Sequence, residues 1–447
     1  MTVPATFDAG EIGIFGNGVT GKAVVGFCEK RSIGHKIFDE FGSPDEQFSE
    51  IFAAKYRTIV RSPSFTMSHR WVKMATAAGC RCMTELDLAS YFWRGKIVAV
   101  TGTNGKTTTT EFISHALRSC GEIAVSCGNI GDTFIGAVDS AANRSDAWAI
   151  VEVSSFQMDG SDAFRPDYVL WTNFANNHLD VHRNVEEYFS CKANLVKNIR
   201  PCESPQTHCF VGKSVHDFCN RLRRGDILGK YSVCVSCDML PPTSALNINP
   251  QRENFALVQK FWECINFPVE GLRAAAESFH LPPHRLQMVA KISAMDAISG
   301  HPKTVEFWND SKATNFHALN AALGTFDGKV ILIAGGKSKN EPMAEFLNAI
   351  RGRVRAILLM GESGEELSKL IAADAALGNG IVCELFRADN GAENLMHKII
   401  NRAFFLSKDG EIILLCPGFS SLDLFKNYAE RGKFFENSIL CLKLIYK

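Results

Sequence analysis

Along the chain, short unbroken runs of apolar residues alternate with stretches whose apolar positions recur at helical spacing. Runs of about four to eight apolar residues suit strands buried on both faces of a parallel sheet, and the 3.6-residue period suits the helices that cover it. The pattern predicts an α/β chain. Expected strands are Glu11–Phe15, Ile97–Val100, Ala149–Val153, Tyr168–Thr172, Val330–Ala334, Ala356–Met360 and Ile412–Leu415, several of which run into glycine-rich or polar turns. Ligands of open α/β sheets bind beyond the carboxyl ends of strands, so those turns are where chemistry is expected.

Two breaks divide the pattern. After Trp93, Arg94-Gly95-Lys96 leads into a new strand; near Leu281-Pro282-Pro283, consecutive prolines cannot continue a helix. Three domains are expected, 1–93, 94–282 and 283–447, as suits 447 residues at ~100–200 per domain. The weakly periodic stretch from Pro201 to Pro250 reads as strands and loops of the middle domain. No repeat or low-complexity tract is evident.

Composition narrows the function. The 48 basic and 48 acidic side chains cancel, and the pI near 7.1 lacks the footprint of a dedicated nucleic-acid binder. Fifteen cysteines, an odd number scattered without a framework, argue for a reducing compartment. The lone Cys234-x-x-Cys237 has no second pair at zinc-site spacing and reads as structural. The N-terminus lacks a basic segment followed by an apolar one, and no apolar run approaches the ~18 residues of a membrane span. A soluble, cytoplasmic protein without membrane insertion is expected.

The most informative stretch is Lys96-Ile-Val-Ala-Val-Thr-Gly102-Thr103-Asn104-Gly105-Lys106-Thr107-Thr108, a strand, a glycine turn and the start of a helix. Backbone N–H groups of such a turn and the positive helix end cradle phosphate oxygens, Lys106 supplies a cation for the terminal phosphates, and the Thr107 hydroxyl can ligate magnesium. The spacing is tighter than the usual GxxxxGK, with Gly102 four residues before the lysine. A phosphate loop of this kind needs a metal carboxylate on a neighbouring strand. Glu152, inside the apolar run Ala149-Ile-Val-Glu-Val, is the candidate, because a charge there is costly unless paired or metal-bound. His178, in Asn177-His-Leu-Asp180 beyond the strand Tyr168–Thr172, would alone read as structural or exposed.

Taken together, Gly102-Thr-Asn-Gly-Lys-Thr-Thr, Glu152-Val-Ser-Ser-Phe-Gln, Asn177-His-Leu-Asp, Ser190-Cys-Lys192-Ala, Pro283-His-Arg285-Leu and Asn309-Asp-Ser-Lys-Ala-Thr-Asn315 resemble, in order, the motifs of the Mur ligases. These are ATP-dependent amide-forming enzymes of peptidoglycan precursor synthesis. The resemblance runs nearly end to end. The closing Cys416-Pro-Gly-Phe-Ser-Ser421-Leu-Asp-Leu-Phe-Lys-Asn427-Tyr428-Ala-Glu-Arg-Gly432 is similar to the branch that adds D-glutamate to UDP-N-acetylmuramoyl-L-alanine.

The resemblance implies a Rossmann-like domain for the UDP substrate, a central ATPase and a Rossmann-like domain for the amino acid, in a monomer. ATP would phosphorylate the substrate carboxylate, and the glutamate amine would attack the acyl phosphate, releasing ADP and phosphate. It implies that Lys106, Glu152, His178 and Lys192 are catalytic, and that Thr107, Glu152, His178 and Lys192 serve two magnesium ions, Lys192 as a carbamate formed with CO2. On sequence alone Lys192 reads as an ordinary exposed lysine of a helix through Tyr188 to Val196. ATP would meet Gly102 to Thr108, Asn254, Arg285 and Asp310. Gly16-Asn17-Gly18-Val19-Thr20-Gly21 with Asp39 would by itself suggest NAD; in the family this turn binds uridine diphosphate, joined by Ser62, Pro63, Asn129 and Ser154. Lys312, Thr314, Lys339, Ser421 and Tyr428 fall at the D-glutamate end, though each taken singly could be a surface residue.

The sequence departs from the family at several points. Pro250 and Gln251 replace the usual His-Asn ahead of Asn254, Val181 replaces an arginine, Cys416 a serine and Tyr428 a phenylalanine. Lys337 stands where aspartate or a neutral residue is common, so either Lys337 or Lys339 could reach the amino acid.

Overall fold

The apolar runs form three β-sheets in the computed structural model, which describes residues 10–177, 182–201, 207–222, 228–296, 299–339, 341–378 and 380–446. The first sheet holds β1 (Ile12–Phe15), β2 (His35–Phe38), β3 (Thr58–Arg61) and β4 (Arg81–Thr84) in the order β2-β1-β3-β4, all parallel. The second holds β5 (Lys96–Thr101), β6 (Ala124–Gly128), β7 (Trp148–Glu152), β8 (Tyr168–Trp171), β9 (Cys209–Gly212) and β10 (Ser232–Cys234) in the order β10-β9-β8-β5-β7-β6, again parallel. The third holds β11 (Gln287–Met295), β12 (Pro302–Asn309), β13 (Val330–Gly335), β14 (Val354–Met360), β15 (Val382–Leu385) and β16 (Ile412–Leu415). Its order is β11-β12-β16-β13-β14-β15, with only β11 antiparallel to its neighbour. All seven expected strands are present within a residue or two.

Two compact units result, one carrying the first two sheets and ending at Phe279, the other carrying the third sheet from His280 onward. In the first unit a continuous core runs from Ile12 and Val24 through Phe134 to Ile97, Val151 and Trp171, so the first two sheets share buried apolar surface. A separate aromatic cluster of Phe15, Phe38, Phe48, Phe65 and Trp71 fills the other face of the first sheet, with Phe15 and Phe48 edge to face at 4.7 Å. In the second unit one core lies under the helices Phe316–Leu323 and Met343–Ile350, and another under Ala392–Leu406 and Tyr428–Ile445. Central strands are buried at nearly every position, which is why they read as unbroken apolar runs.

Two expectations need correction. The stretch between Pro201 and Pro250 contains a helix, Lys213–Arg221, as well as β9 and β10. Val215 and Cys219 of that helix are buried and Phe218 and Leu222 pack beside them, so its apolar residues do recur at i, i+3, i+4 and i+7, but over only two turns set among proline- and cysteine-bearing loops. Lys192, on the helix Val185–Lys197, is buried rather than exposed, with 1% of its surface accessible.

Candidate active site

At the carboxyl end of β5 the chain turns through Gly102 at φ +149° and Gly105 at φ +81°, conformations that exclude ordinary side chains. A Cβ on Gly102 would collide with Thr172 Oγ1. Gly105 occupies the N-cap position of the helix Lys106–Ser119 and makes no side-chain cap to its amide groups, so the positive end of the helix dipole faces the turn. The loop is clamped from β8. Asn173 Oδ1 accepts from the Asn104 amide at 2.9 Å, its Nδ2 donates to Asn104 O at 3.1 Å, and its carbonyl accepts from the Thr103 amide at 3.1 Å. Thr172 Oγ1 donates to Asn104 O at 2.6 Å. Sequence reasoning missed both residues; the signal was their place at the carboxyl end of a strand beside the phosphate loop.

Lys106 Nζ, half-buried, donates to the carbonyls of Gly102 at 2.8 Å and Thr103 at 3.0 Å. Lys192 Nζ donates to the same Gly102 carbonyl at 3.0 Å and to Thr101 Oγ1 at 3.3 Å, and lies 5.0 Å from the centre of the Tyr188 ring. Burial first, and then the charge of Lys106, push Lys192 well below the ordinary lysine range, with Glu152 acting in the opposite direction.

Glu152 ends β7, an interior strand between β5 and β6, and is 3% exposed, so it is not an edge-strand surface residue. Asn129 Nδ2 donates to its Oε1 at 2.9 Å, while Oε2 is buried with no hydrogen-bond partner among the described residues. A desolvated carboxylate oxygen without a donor is the arrangement a cation would complete, so Glu152 fits the expected magnesium, with Thr107 in the first turn of the neighbouring helix. His178 lies outside the described residues. Asn254 packs on the loop: a Cβ on Gly105 would come within 2.6 Å of its Nδ2, which donates to Gln251 at 3.2 Å.

The first sheet builds a second cleft, of about 200 Å³, where β1 and β3 part, lined by Gly16 to Thr20, Asp39, Ser62 and Phe65 among others. Gly21 meets the carbonyl of Gly16 so closely that any Cβ would clash. Asp39 accepts from the amides of Asn17 at 2.7 Å and Phe41 at 2.9 Å, which fixes the turn. Ser62 Oγ is buried without a partner beside Gly16. Pro63 follows in the same turn. Asn129 instead faces Glu152, and Ser154 caps the short helix Ser155–Met158 in a box with Gln157.

In the second unit the segment after β12 holds Asp310, Lys312 and Thr314. Asp310 accepts from the Leu286 amide at 3.1 Å, and burial, opposed by that hydrogen bond and by Arg285, pushes it up to about 6. Lys312 Nζ sits 3.9 Å from the centre of the Tyr428 ring, which brings together two of the residues expected at the amino-acid end. Ser421 is buried and accepts through its carbonyl from the Phe425 amide. Lys337 pairs with Ser420 through two backbone hydrogen bonds, after the turn Gly335-Gly336; Lys339 lies two residues further on.

Arg431, assigned no role from sequence, organises this segment. Fully buried, it donates to Ser311 Oγ at 3.0 Å, Ser311 O at 2.8 Å and Phe419 O at 3.2 Å, and burial pulls it down to about 10. Asn309 Nδ2 reaches Glu436 and His284, each at 2.9 Å, and a Cβ on Gly432 would strike the His284 ring. The final Arg-Gly pair thus holds the Asn-Asp-Ser-Lys segment in place.

Comparison with known proteins fits this arrangement. Residues 100–209 match the Mur ligase middle domain, and residues 284–419 match the Mur ligase glutamate ligase domain. A UDP-N-acetylmuramoylalanine–D-glutamate ligase of Desulfosudis oleivorans is 31% identical over 422 residues, covering 89% of this chain and 84% of the relative. The chain belongs to the Mur ligase family. The same enzyme from Caldicellulosiruptor bescii is 27% identical, covering 96% of this chain and 92% of its own. Among Mur ligase folds, the pseudomurein peptide ligase type C from Methanothermus fervidus aligns with a TM-score of 0.57 at 14% identity, over 97% of this chain and all of that one.

Proposed function

We propose that this Mur ligase joins D-glutamate to UDP-N-acetylmuramoyl-L-alanine at the expense of ATP, forming an amide, ADP and phosphate in peptidoglycan precursor synthesis. The observation that carries the reading is the match, over 84% to 92% of their lengths, to relatives bearing that activity in their names. We assign the UDP substrate to 1–93, ATP to 94–282 and the amino acid to 283–447, with the cytoplasm as the working compartment.

A carboxylate is a poor electrophile, and its oxygen a poor leaving group. Transfer of the ATP γ-phosphoryl group to that oxygen gives an acyl phosphate; the glutamate amine adds to the acyl carbon, the C–O bond to phosphate breaks, and the amine proton is lost. Two anions must approach each other, so cations and dipoles aimed at the phosphates dominate the rate. The Gly102–Thr108 turn holds the phosphates with its amide groups, and Lys106 exchanges its contacts with loop carbonyls for phosphate oxygens. Asn173 keeps that turn in shape. Thr107, Glu152 and His178 would hold magnesium, which when bound supplies charge neutralisation at the phosphoryl group. The depressed Lys192 amine suits carbamate formation: neutral Nζ bonds to the carbon of CO2 and releases a proton, leaving a carboxylate for the second ion. Asn254 serves the nucleotide base, and Arg285 and Asp310 serve the nucleotide. Lys312 and Tyr428, with Thr314, Ser421 and either Lys337 or Lys339, receive the glutamate carboxylates.

The test is an amino-acid panel with UDP-N-acetylmuramoyl-L-alanine, scored by phosphate release, in which the substrate carboxylate carries heavy oxygen. D-Glutamate should be preferred, and one labelled oxygen should appear in the phosphate. Preference for L-lysine or diaminopimelate, or unlabelled phosphate, would overturn the reading.

A further inference from the structure

The first unit has a third opening, a cleft of about 340 Å³ lined by Arg81, Ser90, Tyr91, Asp162, Arg165 and Arg200. Its place follows from topology. Arg81 opens β4, Tyr91 lies near the end of the helix that returns from it, Asp162 and Arg165 precede β8, and Arg200 follows the helix that leads towards β9. In parallel sheets these are the amino ends of strands, whereas the glycine turns hang from the carboxyl ends. The cleft is therefore separate from both substrate turns.

Three guanidinium groups converge there on a built floor. Buried Asp87 accepts from Ser161 Oγ at 2.7 Å and from the amides of Ala163 at 3.0 Å and Phe164 at 2.8 Å, which fixes the segment carrying Asp162 and Arg165. Arg81 is pre-set by a 2.7 Å hydrogen bond to Tyr91 Oη and lies 5.5 Å from the centre of that ring. Arg200 is held 3.5 Å from Asp167. Arg165 makes no ion pair among the described residues. Asp162, 3.8 Å from Arg81 and with 75% of its side chain exposed, is the one carboxylate on the rim. Asp162 stands beside Arg81 and Asp167 takes up the charge of Arg200, so the three guanidinium groups face two carboxylates and the wall keeps one net positive charge, carried by Arg165. Planar guanidinium forks and the Ser90 hydroxyl match tetrahedral phosphate oxygens.

We propose that this cleft is a binding site for a small phosphate-bearing anion carrying two or more negative charges. The site is linked to the catalytic helix, because the Arg200 amide donates to Pro166 O at 2.9 Å just beyond the helix that carries Lys192.

Pyrophosphate is the probe, titrated by calorimetry into the full chain and into its Lys106→Ala variant, which lacks the phosphate-loop cation. Binding should persist in Lys106→Ala. Arg165→Glu should weaken it about tenfold or more, the worth of a charge-assisted hydrogen bond, while kcat and the KM for ATP measured without pyrophosphate stay unchanged. Asp162→Asn should tighten it. Competition by inorganic phosphate, ADP and uridine diphosphate in the Lys106→Ala background, scored for dependence on Arg165, distinguishes the source of the phosphate. Loss of all binding in Lys106→Ala, or equal affinity in Arg165→Glu, would overturn the proposal. These are binding readouts, so they stand or fall independently of which amino acid the enzyme adds.

Discussion

Glu152→Gln separates a metal-holding carboxylate from a merely structural one. In the parent, one oxygen accepts from Asn129 at 2.9 Å and the other is buried without a donor. Leaving a buried polar atom unsatisfied costs roughly 1–3 kcal/mol, more when it is charged. Glutamine keeps the acceptor that Asn129 needs and exchanges an orphan oxygen for an orphan amide. The ligand-free variant should therefore match the parent within about 1 kcal/mol, or about 3 °C in melting temperature. The lost charge acts elsewhere. Preorganised groups facing developing phosphoryl charge are worth about 10²–10³ in kcat, so phosphate release should fall at least about 100-fold. Calorimetric scans add an independent check: a ligand at about 100 times its Kd raises stability by about 2.7 kcal/mol, and the variant should lose the magnesium-dependent part of the gain given by magnesium with a non-hydrolysable ATP analogue. A ligand-free variant that melts far below the parent, or one that turns over within about threefold of it, would show that Glu152 holds the fold and not the metal.

Asn173→Ala removes two side-chain hydrogen bonds to Asn104, worth about 1–3 kcal/mol together, and should lower kcat/KM for ATP by about 10- to 100-fold in steady-state assays while sparing the KM for the UDP substrate. Lys192→Ala should lose most turnover and recover part of it with acetate, a carboxylate replacing the carbamate; rescue by amines instead would contradict that role. Because Lys192 titrates below its unfolded value, at that group the unfolded chain binds more protons between the two, so in CO2-depleted buffer Lys192 adds a contribution to stability that rises with pH up to about 10.5, and the difference between the parent and Lys192→Met in denaturant titrations should show it. Asp310 has the opposite sense: raised to about 6 from 3.8, it is penalised as pH climbs through that window, so Asp310→Asn should gain relative stability from pH 4 to 6, by at most about 3 kcal/mol.

What the sequence displayed was local. The seven strands, the glycine turn and the anomalous charge at Glu152 are each visible within a dozen residues, because burial on both faces of a parallel sheet leaves an unbroken apolar run against which a carboxylate stands out. What it concealed was distant. Lys192 is buried by partners 90 and 91 residues away, Thr101 and the Gly102 carbonyl, so the helix that carries it shows nothing to mark it. Arg431 reaches Ser311 across 120 residues, and Asn173 reaches Asn104 across 69. Asp39 lines the cleft beside the Gly16–Thr20 turn, and the fold adds what spacing does not show: its oxygens also accept from two backbone amides. Spacing locates a residue on the sheet edge; only the fold says which way its hydrogen bonds go.

The Gly102 carbonyl ties these observations to the chemistry. It accepts from Lys106 at 2.8 Å and from Lys192 at 3.0 Å, so the two nitrogens crowd one oxygen. Two ammonium groups on one carbonyl oxygen repel each other, and the charge of Lys106 is the second cause, after burial, that pulls Lys192 down. Burial is the larger cause: Lys192, at 1% exposure, is the lysine whose charged form is disfavoured. A neutral amine has the lone pair that CO2 requires, and under the proposed carbamate that position gains a negative charge. The carbamate would then be an anion that attracts Lys106, so the modification replaces the repulsion that disfavours the lysine charge with an attraction.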